Sequence, residues 1–211
     1  MIYLSGKHHM AFQHRVDAGV IVAWRLFDTK KLHDFLWAAD TGCFKHPDGF
    51  DRAKYLAWLD GKREFVNNCL FATAPDIVGD AEETWRRSEP VLPLIRELGY
   101  PAALVAQDGI EDMSIEWDAF DALFIGGTTE WKLSEVALQL VAAANARGKH
   151  THMGRVNSWK RLRLAALAGC DSTDGTRGVY APTKALPEIL GWLRKFETEP
   201  PMDLYHISLC G

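Results

Sequence analysis

The sequence lacks the features of a membrane protein, a zinc protein or a disulfide-bonded secreted domain. Its longest apolar stretch, AGVIVAW, is far too short to cross a bilayer. Its four cysteines are scattered, with no CxxC pair and no Cys/His spacing of the kind that binds zinc. The first residues contain no apolar targeting core. These absences predict a cytoplasmic protein with no metal and no cofactor.

The sequence also has no excess of positive charge, since 24 basic and 28 acidic residues give a formal net charge of −4. Proteins that bind nucleic acid through bulk charge are usually basic, so such a partner would need a local basic patch. The composition, 47% hydrophobic and 25% charged over 211 residues, is typical of one globular domain.

Short apolar runs alternate with longer amphipathic ones, which predicts parallel βαβ units. The predicted strands are residues 2–5, 19–24, 35–39, 69–73, 102–106, 122–126, 150–153 and 169–172. The predicted helices are residues 51–61, 80–98 with a break at its prolines, 132–147, 158–168 and 184–196. Eight strands favour a compact α/β domain over residues 1–211, a (β/α)8 TIM barrel. An open doubly wound sheet is the alternative, although the glycine-rich phosphate fingerprint that often opens one is missing.

Polar residues follow six of the predicted strands. Because the carboxyl ends of parallel strands share one rim, we expect these residues to meet at a single mouth. They are Asp40, Asp76, Gln107, Asp108, Gly126, Gly127, Thr128, His152, Gly154, Arg155 and Asp174.

Three separated aspartates at one mouth indicate carboxylate chemistry. One could attack an anomeric carbon, a second could move a proton, and a third could accept hydrogen bonds from the N–H groups of a purine. Structural alternatives stay open at this point. Asp40 could form a turn, Asp76 could start a helix, and Asp171 is best read as structural. His150 and His152 also leave a metal-dependent hydrolase open.

Four blocks of the sequence resemble the tRNA-guanine transglycosylases, in the order that this family has them. WAADTGCFK (37–45) resembles their TDSGGFQ, ALVAQDG (103–109) resembles GIVQGG, and FIGGTTEWK (124–132) resembles IGGLAVGE. HTHMGRVNSWKRLRLAALAGCDSTDGTR (150–177) resembles the segment that runs from an MG-G turn to G-D-FD and an arginine. The resemblance implies a TIM barrel and the exchange of guanine for a 7-deazaguanine base.

The resemblance also implies roles for individual residues. Asp174 matches the nucleophile that attacks C1′, and Asp40 matches the second catalytic aspartate, a general acid/base. Asp76 matches the residue that reads the base. The remaining expected substrate-binding residues are Gln107, Gly126, Gly127, Thr128, Gly154, Arg155 and Arg177. Either Arg155 or Arg177 is expected to keep Asp174 ionised.

The sequence departs from the tRNA-modifying members of the family, because it has no CxCxxC zinc motif and has Cys43 in place of a glycine. It is more similar to the short zinc-free DNA-guanine transglycosylases of phages and bacteria, the DpdA type. This similarity implies DNA and a preQ0-type base as partners, with no membrane. A homo-oligomer is left open.

Charge is distributed unevenly along the chain. Residues 145–177 carry seven Lys or Arg and two Asp, whereas residues 108–135 carry eight acids and one Lys. We expect DNA to lie over the basic segment around Arg155–Arg177, with Trp159 either stacking on a base or packing internally. Two alternatives remain: an N-glycosyl hydrolase or base exchanger acting on free nucleosides, and a non-catalytic nucleic-acid-binding subunit.

Overall fold

The chain forms a closed barrel of eight parallel strands. The computed structural model describes residues 1–5, 22–26, 36–44, 47–177 and 182–198. Each strand pairs with the next, and the last pairs with the first. The strands are β1 (Ile2–Ser5), β2 (Val22–Leu26), β3 (Trp37–Ala39), β4 (Cys69–Thr73), β5 (Ala102–Ala106), β6 (Ala122–Ile125), β7 (His150–Met153) and β8 (Ser172–Gly175). The predicted TIM barrel is thus confirmed, since an open sheet would leave two edges unpaired.

Helices surround the barrel in the described part of the chain. They are α1 (Arg52–Asp60), α2 (Ala81–Ser88), α3 (Leu92–Glu97), α4 (Thr129–Lys132), α5 (Glu135–Asn145), α6 (Trp159–Leu167) and α7 (Pro182–Thr198). Short 3-10 segments lie at Pro47–Gly49, Arg63–Asn68, Ile110–Asp112 and Trp117–Ala119. No helix in the described ranges is long and apolar enough to cross a membrane.

Local sequence explains where the helices begin. The side chains of Asp51, Asp80, Ser134 and Ser158 each accept a hydrogen bond from the backbone N–H three residues further on, and so cap α1, α2, α5 and α6. The predicted helix 80–98 is two helices, as its prolines indicated. Pro93 lies in the first turn of α3, where a missing N–H breaks no intrahelical hydrogen bond.

The core has two layers because successive side chains of a strand point to opposite faces. In β6, Leu123 and Ile125 point outward and join the large cluster between barrel and helices. Ala122 and Phe124 point inward and join a second cluster that fills the barrel. The inward cluster also contains Leu4, Ala38, Phe71, Ala103 and Val105.

The predicted position of the last strand was wrong. The expected strand 169–172 lies three residues too early, because β8 is Ser172–Gly175. Asp174 therefore lies within the strand, and Asp171 precedes it at the amino end of the barrel. Of the residues that suggested the earlier position, Gly169 lies in the turn after α6, and Cys170 connects that turn to β8. Apolar content is a poor guide here because β8 contributes polar side chains to the barrel interior.

Two other elements are observed with starts three residues later than predicted. The strand expected at 19–24 is observed at Val22–Leu26, and residues 19–21 lie outside the described part of the chain. The helix expected at 132–147 begins only at Glu135, after the separate helix α4. Lys132 therefore ends a short rim helix and does not start a long surface one.

Candidate active site

Four neighbouring strands end in one row at the carboxyl rim. Ala106 pairs with Ile125, Ile125 with Met153, and Met153 with Thr173. The residue that follows each of these positions is in the inward phase of its strand. This row, called the rim row below, consists of Gln107, Gly126, Gly154 and Asp174. At about 4.8 Å per strand, it extends about 14 Å around the mouth.

Asp174 is the acidic member of the rim row and is only 2% exposed. Its Oδ1 accepts a hydrogen bond of 2.9 Å from the backbone N–H of Arg155. Its Oδ2 lies 3.1 Å from Nε2 of His152. The carboxylate is therefore held at both oxygens. The expected support from Arg155 comes through its backbone at this contact.

A chain of polar side chains runs behind Asp174 through the barrel interior. His152 Nδ1 lies 2.8 Å from Oγ of Ser172, and the same hydroxyl lies 2.7 Å from Nε2 of His150. Burial, followed by repulsion from His152, lowers the pKa of His150 to about 4. His150 is therefore neutral at physiological pH. Both histidines face the same side of β7, because residues two apart in a strand share a face.

Aromatic rings form the floor beneath the rim row. The ring centroid of Phe124 lies 4.4 Å from that of His152, and the centroid of Phe71 lies 5.0 Å from it. Phe71 and Phe124 themselves meet edge to face. The imidazole is thus confined on its faces as well as through its nitrogens, which limits its rotation.

Asp76 and Gln107 form a pair at the other end of the rim row. Gln107 Nε2 donates to Oδ2 of Asp76 at 2.8 Å. Its Oε1 accepts from the N–H groups of Gly79 at 3.0 Å and Gly127 at 2.8 Å, and the residue is 1% exposed. These two bonds fix which end of the carboxamide faces Asp76. Asp80, and not Asp76, caps the helix that follows.

The two glycines at the end of β6 allow this arrangement. A Cβ at Gly126 would lie 2.8 Å from Nε2 of Gln107 and 2.7 Å from Val105 Cγ1. Gly127 has a φ of +57°, and a Cβ there would collide with the ring of Trp131. The predicted glycine pair is therefore required for the packing of Gln107 and of α4.

Thr128 is occupied by contacts within the rim. Its hydroxyl donates to Asp108 Oδ1 at 2.6 Å, and its backbone N–H donates to Oδ2 of the same residue at 2.8 Å. Its Oγ1 also accepts from the N–H of Trp131, which makes Thr128 the cap of α4. Thr128 and Asp108 together join the loops that follow β5 and β6.

Asp40 follows β3 in the inward phase and is buried at the same end of the barrel as Asp174. Two strands, β1 and β2, lie between β3 and β8. Asp40 also forms a turn, because its Oδ1 accepts from the N–H of Gly42 at 2.7 Å. The thiol of the neighbouring Cys43 contacts the backbone of Asp76, and burial raises its pKa. Cys43 thus joins the loops that carry Asp40 and Asp76.

Arg155 connects opposite sides of the mouth. It has a left-handed backbone, with a φ of +58°, and its guanidinium donates to the carbonyl oxygen of Gly127 at 2.9 Å. The guanidinium carbon lies 4.5 Å from the ring centroid of Phe44, in the loop after β3. Since β3 and β7 are four strands apart, this cation–π contact spans the mouth.

Arg177 lies just beyond β8, and its guanidinium turns toward α7. It donates to Glu188 and lies 5.7 Å from the ring centroid of Trp192. Its backbone N–H is held by Oδ1 of Asn157 at 3.0 Å. Because its guanidinium contacts α7, a substrate contact from Arg177 stays a prediction.

Lys132 is the rim residue that sequence reasoning missed. It is 1% exposed, and its Nζ donates to the carbonyl oxygen of Gly154 at 3.0 Å. Burial, followed by repulsion from Arg155, lowers its pKa to about 7. In the sequence, Lys132 is the single basic residue of an acidic segment. Its only sign of a role in the site is its position a few residues after the end of a predicted strand.

The basic segment 145–177 divides between the two ends of the barrel. Arg147 and Lys149 precede β7 and lie at its amino end, where they cover Trp117 and Phe120. Arg155 and Lys160 follow β7 and lie at the mouth. Trp159 packs against Phe196, with ring centroids 5.1 Å apart. Of these four cations, only Arg155 and Lys160 border the mouth.

The described residues contain no group of three or more His, Cys, Asp or Glu side chains placed to hold a metal ion. His150 and His152, the nearest sequence candidates, both contact the hydroxyl of Ser172.

The closed parallel barrel with a polar carboxyl rim belongs to the TIM-barrel fold class. No model of a known protein family and no curated protein sequence matches the chain. Solved structures do match in fold. The tryptophan synthase alpha chain from Legionella pneumophila subsp. pneumophila aligns with a TM-score of 0.55 and 10% identity, over 96% of this chain and 93% of that one.

Two further solved structures align at similar levels. The native KDPGal structure gives a TM-score of 0.53 at 14% identity, covering 93% of this chain and 92% of that one. The 3-hexulose-6-phosphate synthase from Salmonella typhimurium gives 0.51 at 14% identity, covering 92% and 98%. At these identities the likeness establishes the fold and carries no information about substrate.

Proposed function

We propose that the protein is a pentosyltransferase that exchanges guanine in DNA for a 7-deazaguanine base of the preQ0 type. One observation carries the proposal. The buried nucleophile candidate Asp174 and the Asp76–Gln107 pair lie at the two ends of the rim row, and both positions between them are glycine. The spacing of about 14 Å accommodates a nucleotide whose sugar faces Asp174 and whose base faces Asp76.

The first displacement takes place at C1′ of the target nucleotide. A carboxylate oxygen of Asp174 forms a bond to C1′ while the bond from C1′ to N9 of guanine breaks. The electron pair of that bond leaves with guanine, and Asp40 supplies the proton that the base takes up. The product is a glycosyl ester of Asp174 and free guanine.

Recognition of the base falls to Asp76. An ionised carboxylate accepts hydrogen bonds, and guanine presents N1–H and its exocyclic amine along one edge. Gln107 orients the Asp76 carboxylate through the 2.8 Å bond from Nε2. A 7-deazaguanine presents the same edge, so one pocket accepts both the leaving and the entering base.

The second displacement restores Asp174. The entering base loses its N9 proton to Asp40, N9 bonds to C1′, and the bond from C1′ to Asp174 breaks. Two successive displacements retain the configuration of the sugar. Atoms balance without a cofactor or an energy source, because one N-glycosidic bond is exchanged for another.

The target nucleotide must leave the DNA stack, since C1′ is not open to in-line attack within a duplex. Basic residues that border the mouth, including Arg155 and Lys160, are placed to contact the flanking phosphates. This proposal assigns DNA binding to the mouth end of the barrel and leaves Arg147 and Lys149 outside the DNA contact.

The experiment is base exchange measured by mass spectrometry of nucleosides. The protein is incubated with preQ0 and with duplex DNA, single-stranded DNA or free deoxyguanosine. We expect deazaguanine nucleosides in DNA from the wild type and from Asp171→Asn, the matched control at the other end of the strand. Asp174→Asn should give none while remaining folded. Exchange by Asp174→Asn, or exchange only into free deoxyguanosine, would refute the proposal.

A further inference from the structure

We propose that Lys132 is a positioning residue that keeps the carboxylate of Asp174 ionised through the Gly154–Arg155 peptide. The catalytic consequence rests on the proposed role of Asp174 as the nucleophile. The ionisation of Asp174 is a property of the folded protein and is measured without any substrate.

One peptide group connects the two side chains. Lys132 Nζ donates to the carbonyl oxygen of Gly154 at 3.0 Å, and the N–H of Arg155 donates to Asp174 Oδ1 at 2.9 Å. The carbonyl of Gly154 and the N–H of Arg155 belong to the same peptide bond, which is trans. Its two ends point in opposite directions, so a cation lies at one end and a carboxylate at the other.

This geometry strengthens the bond to Asp174. An ammonium at the carbonyl oxygen draws electron density from the peptide and makes its N–H a better donor. A stronger donor to a carboxylate favours the ionised form over the protonated one. The low dielectric of the buried site increases both effects.

The local fold explains why a lysine side chain reaches this place. Thr128 caps α4, and Trp131 packs over the side-chain-free Gly127. This short helix turns Lys132 inward, beneath the turn after β7. The interaction is therefore built from three consecutive features of the chain: the glycine turn, the cap and the tryptophan.

Four charged groups from the surrounding elements act on Lys132. Arg155, in the loop after β7, and Arg161, on α6, favour its neutral form. Asp174 on β8 and Asp108 in the loop after β5 favour its charged form. With a pKa of about 7, Lys132 is an ammonium throughout the acidic range in which a carboxylate would take up a proton.

The first test is the titration of Asp174 by carbon NMR of protein labelled at aspartate side chains, with Asp174→Asn used to assign the signal. In Lys132→Met we expect the pKa of Asp174 to rise by about one unit. Lys132→Arg keeps the charge and should stay close to the wild type. An unchanged pKa in Lys132→Met, or an equal rise in both variants, overturns the proposal.

A second test uses only the wild-type protein and so does not depend on the variants folding. The amide proton of Arg155 should shift with a midpoint at the pKa of Lys132, about 7, as the ammonium is lost. A resonance that does not move between about pH 5 and about pH 9 overturns the proposal. If both NMR results hold and base exchange is absent, the proposed function fails and the role of Lys132 stands.

Discussion

His152 Nε2 lies 3.1 Å from Asp174 Oδ2 inside the barrel, and this pair ends a longer chain of hydrogen bonds. An ionised Asp174 can only accept, so His152 donates to it through Nε2. The hydroxyl of Ser172 lies between Nδ1 of His152 and Nε2 of His150, and it can donate to one nitrogen and accept from the other. When His152 is neutral, its Nδ1 accepts from this hydroxyl and every donor of the chain points toward Asp174.

The first prediction concerns His152→Phe. This change removes the donor to Asp174 Oδ2 and the acceptor for Ser172, while preserving an aromatic ring against Phe71 and Phe124. Losing a hydrogen bond to a charged group should slow formation of the DNA–protein adduct about 10- to 100-fold. The rate is measured by quenching the reaction at successive times and separating the adduct from the free protein on a denaturing gel.

Thr173→Val is the matched control for this prediction. Thr173 lies on β8 next to Asp174 but points outward, and its hydroxyl has no hydrogen-bond partner in the described structure. We expect its adduct rate to equal that of the wild type. Equal rates in His152→Phe and the wild type would show that the chain does not support Asp174.

The second prediction concerns Gln107→Leu. The backbone N–H groups of Gly79 and Gly127 lose their acceptor, and Asp76 loses its donor. The free energy of unfolding should fall by about 2 kcal/mol, and binding of guanine should weaken. Urea unfolding and calorimetry measure these two quantities.

The control for Gln107 is Gln139→Leu. Gln139 is exposed on α5, and its Nε2 donates to Oε1 of Glu135 at 3.3 Å. Gln139→Leu should change the unfolding free energy by less than about 0.5 kcal/mol. Similar losses in the two variants would contradict the anchoring role of Gln107.

The third prediction concerns pH and Lys132. The pKa of this lysine is near 10.5 in an unfolded chain and about 7 in the folded protein. Between these values the unfolded chain binds the additional proton, so the unfolding free energy rises with pH. The contribution of Lys132 should grow by about 2 kcal/mol from pH 7 to pH 9.

Comparison with Lys132→Met isolates that contribution. Urea unfolding of both proteins at pH 7 and pH 9 gives the change in unfolding free energy with pH for each protein. The contributions of the other titrating groups cancel in the difference between the two. Between pH 7 and pH 9 the unfolding free energy of the wild type should rise by about 2 kcal/mol relative to that of the variant. A difference in unfolding free energy that is the same at both pH values would mean that the pKa of Lys132 is not lowered.

The fourth prediction concerns DNA binding. Lys160 is exposed in the first turn of α6 and borders the mouth, whereas Arg147 lies at the other end of the barrel. Lys160→Gln should weaken oligonucleotide binding and reduce the slope of log affinity against log salt by about 1. Arg147→Gln should leave both unchanged, as measured by fluorescence anisotropy. The reverse pattern would place DNA at the amino end.

Much of the fold was predictable because the barrel alternates short apolar strands with capped helices. The strands at 69–73 and 102–106 were predicted with their observed bounds. Their outward faces pack against helices and their inward faces pack on one another, so their apolar content is a reliable signal. The placement of Asp40, Asp76, Gln107 and Gly126 after strand ends followed from the same pattern.

The rest of the site depends on contacts between residues that are far apart in the sequence. The polar strand β8 has no apolar signal, since Ser172 and Asp174 are satisfied by His150 and His152 from β7. The rim row depends on the register between neighbouring strands, which the sequence of a single strand does not specify. Lys132 can be buried because the carbonyl oxygen of Gly154, in another βα unit, accepts a hydrogen bond from its Nζ, and no local sequence pattern indicates that partner.

The central claim is that Asp174 forms a covalent bond to a nucleotide of DNA. The most direct measurement is mass spectrometry of the protein after incubation with a guanine-containing oligonucleotide and no entering base. The account predicts a protein–oligonucleotide adduct that lacks one guanine, attached at Asp174 and absent in Asp174→Asn. An adduct at another residue, or guanine exchange with no adduct under any quench, would contradict it.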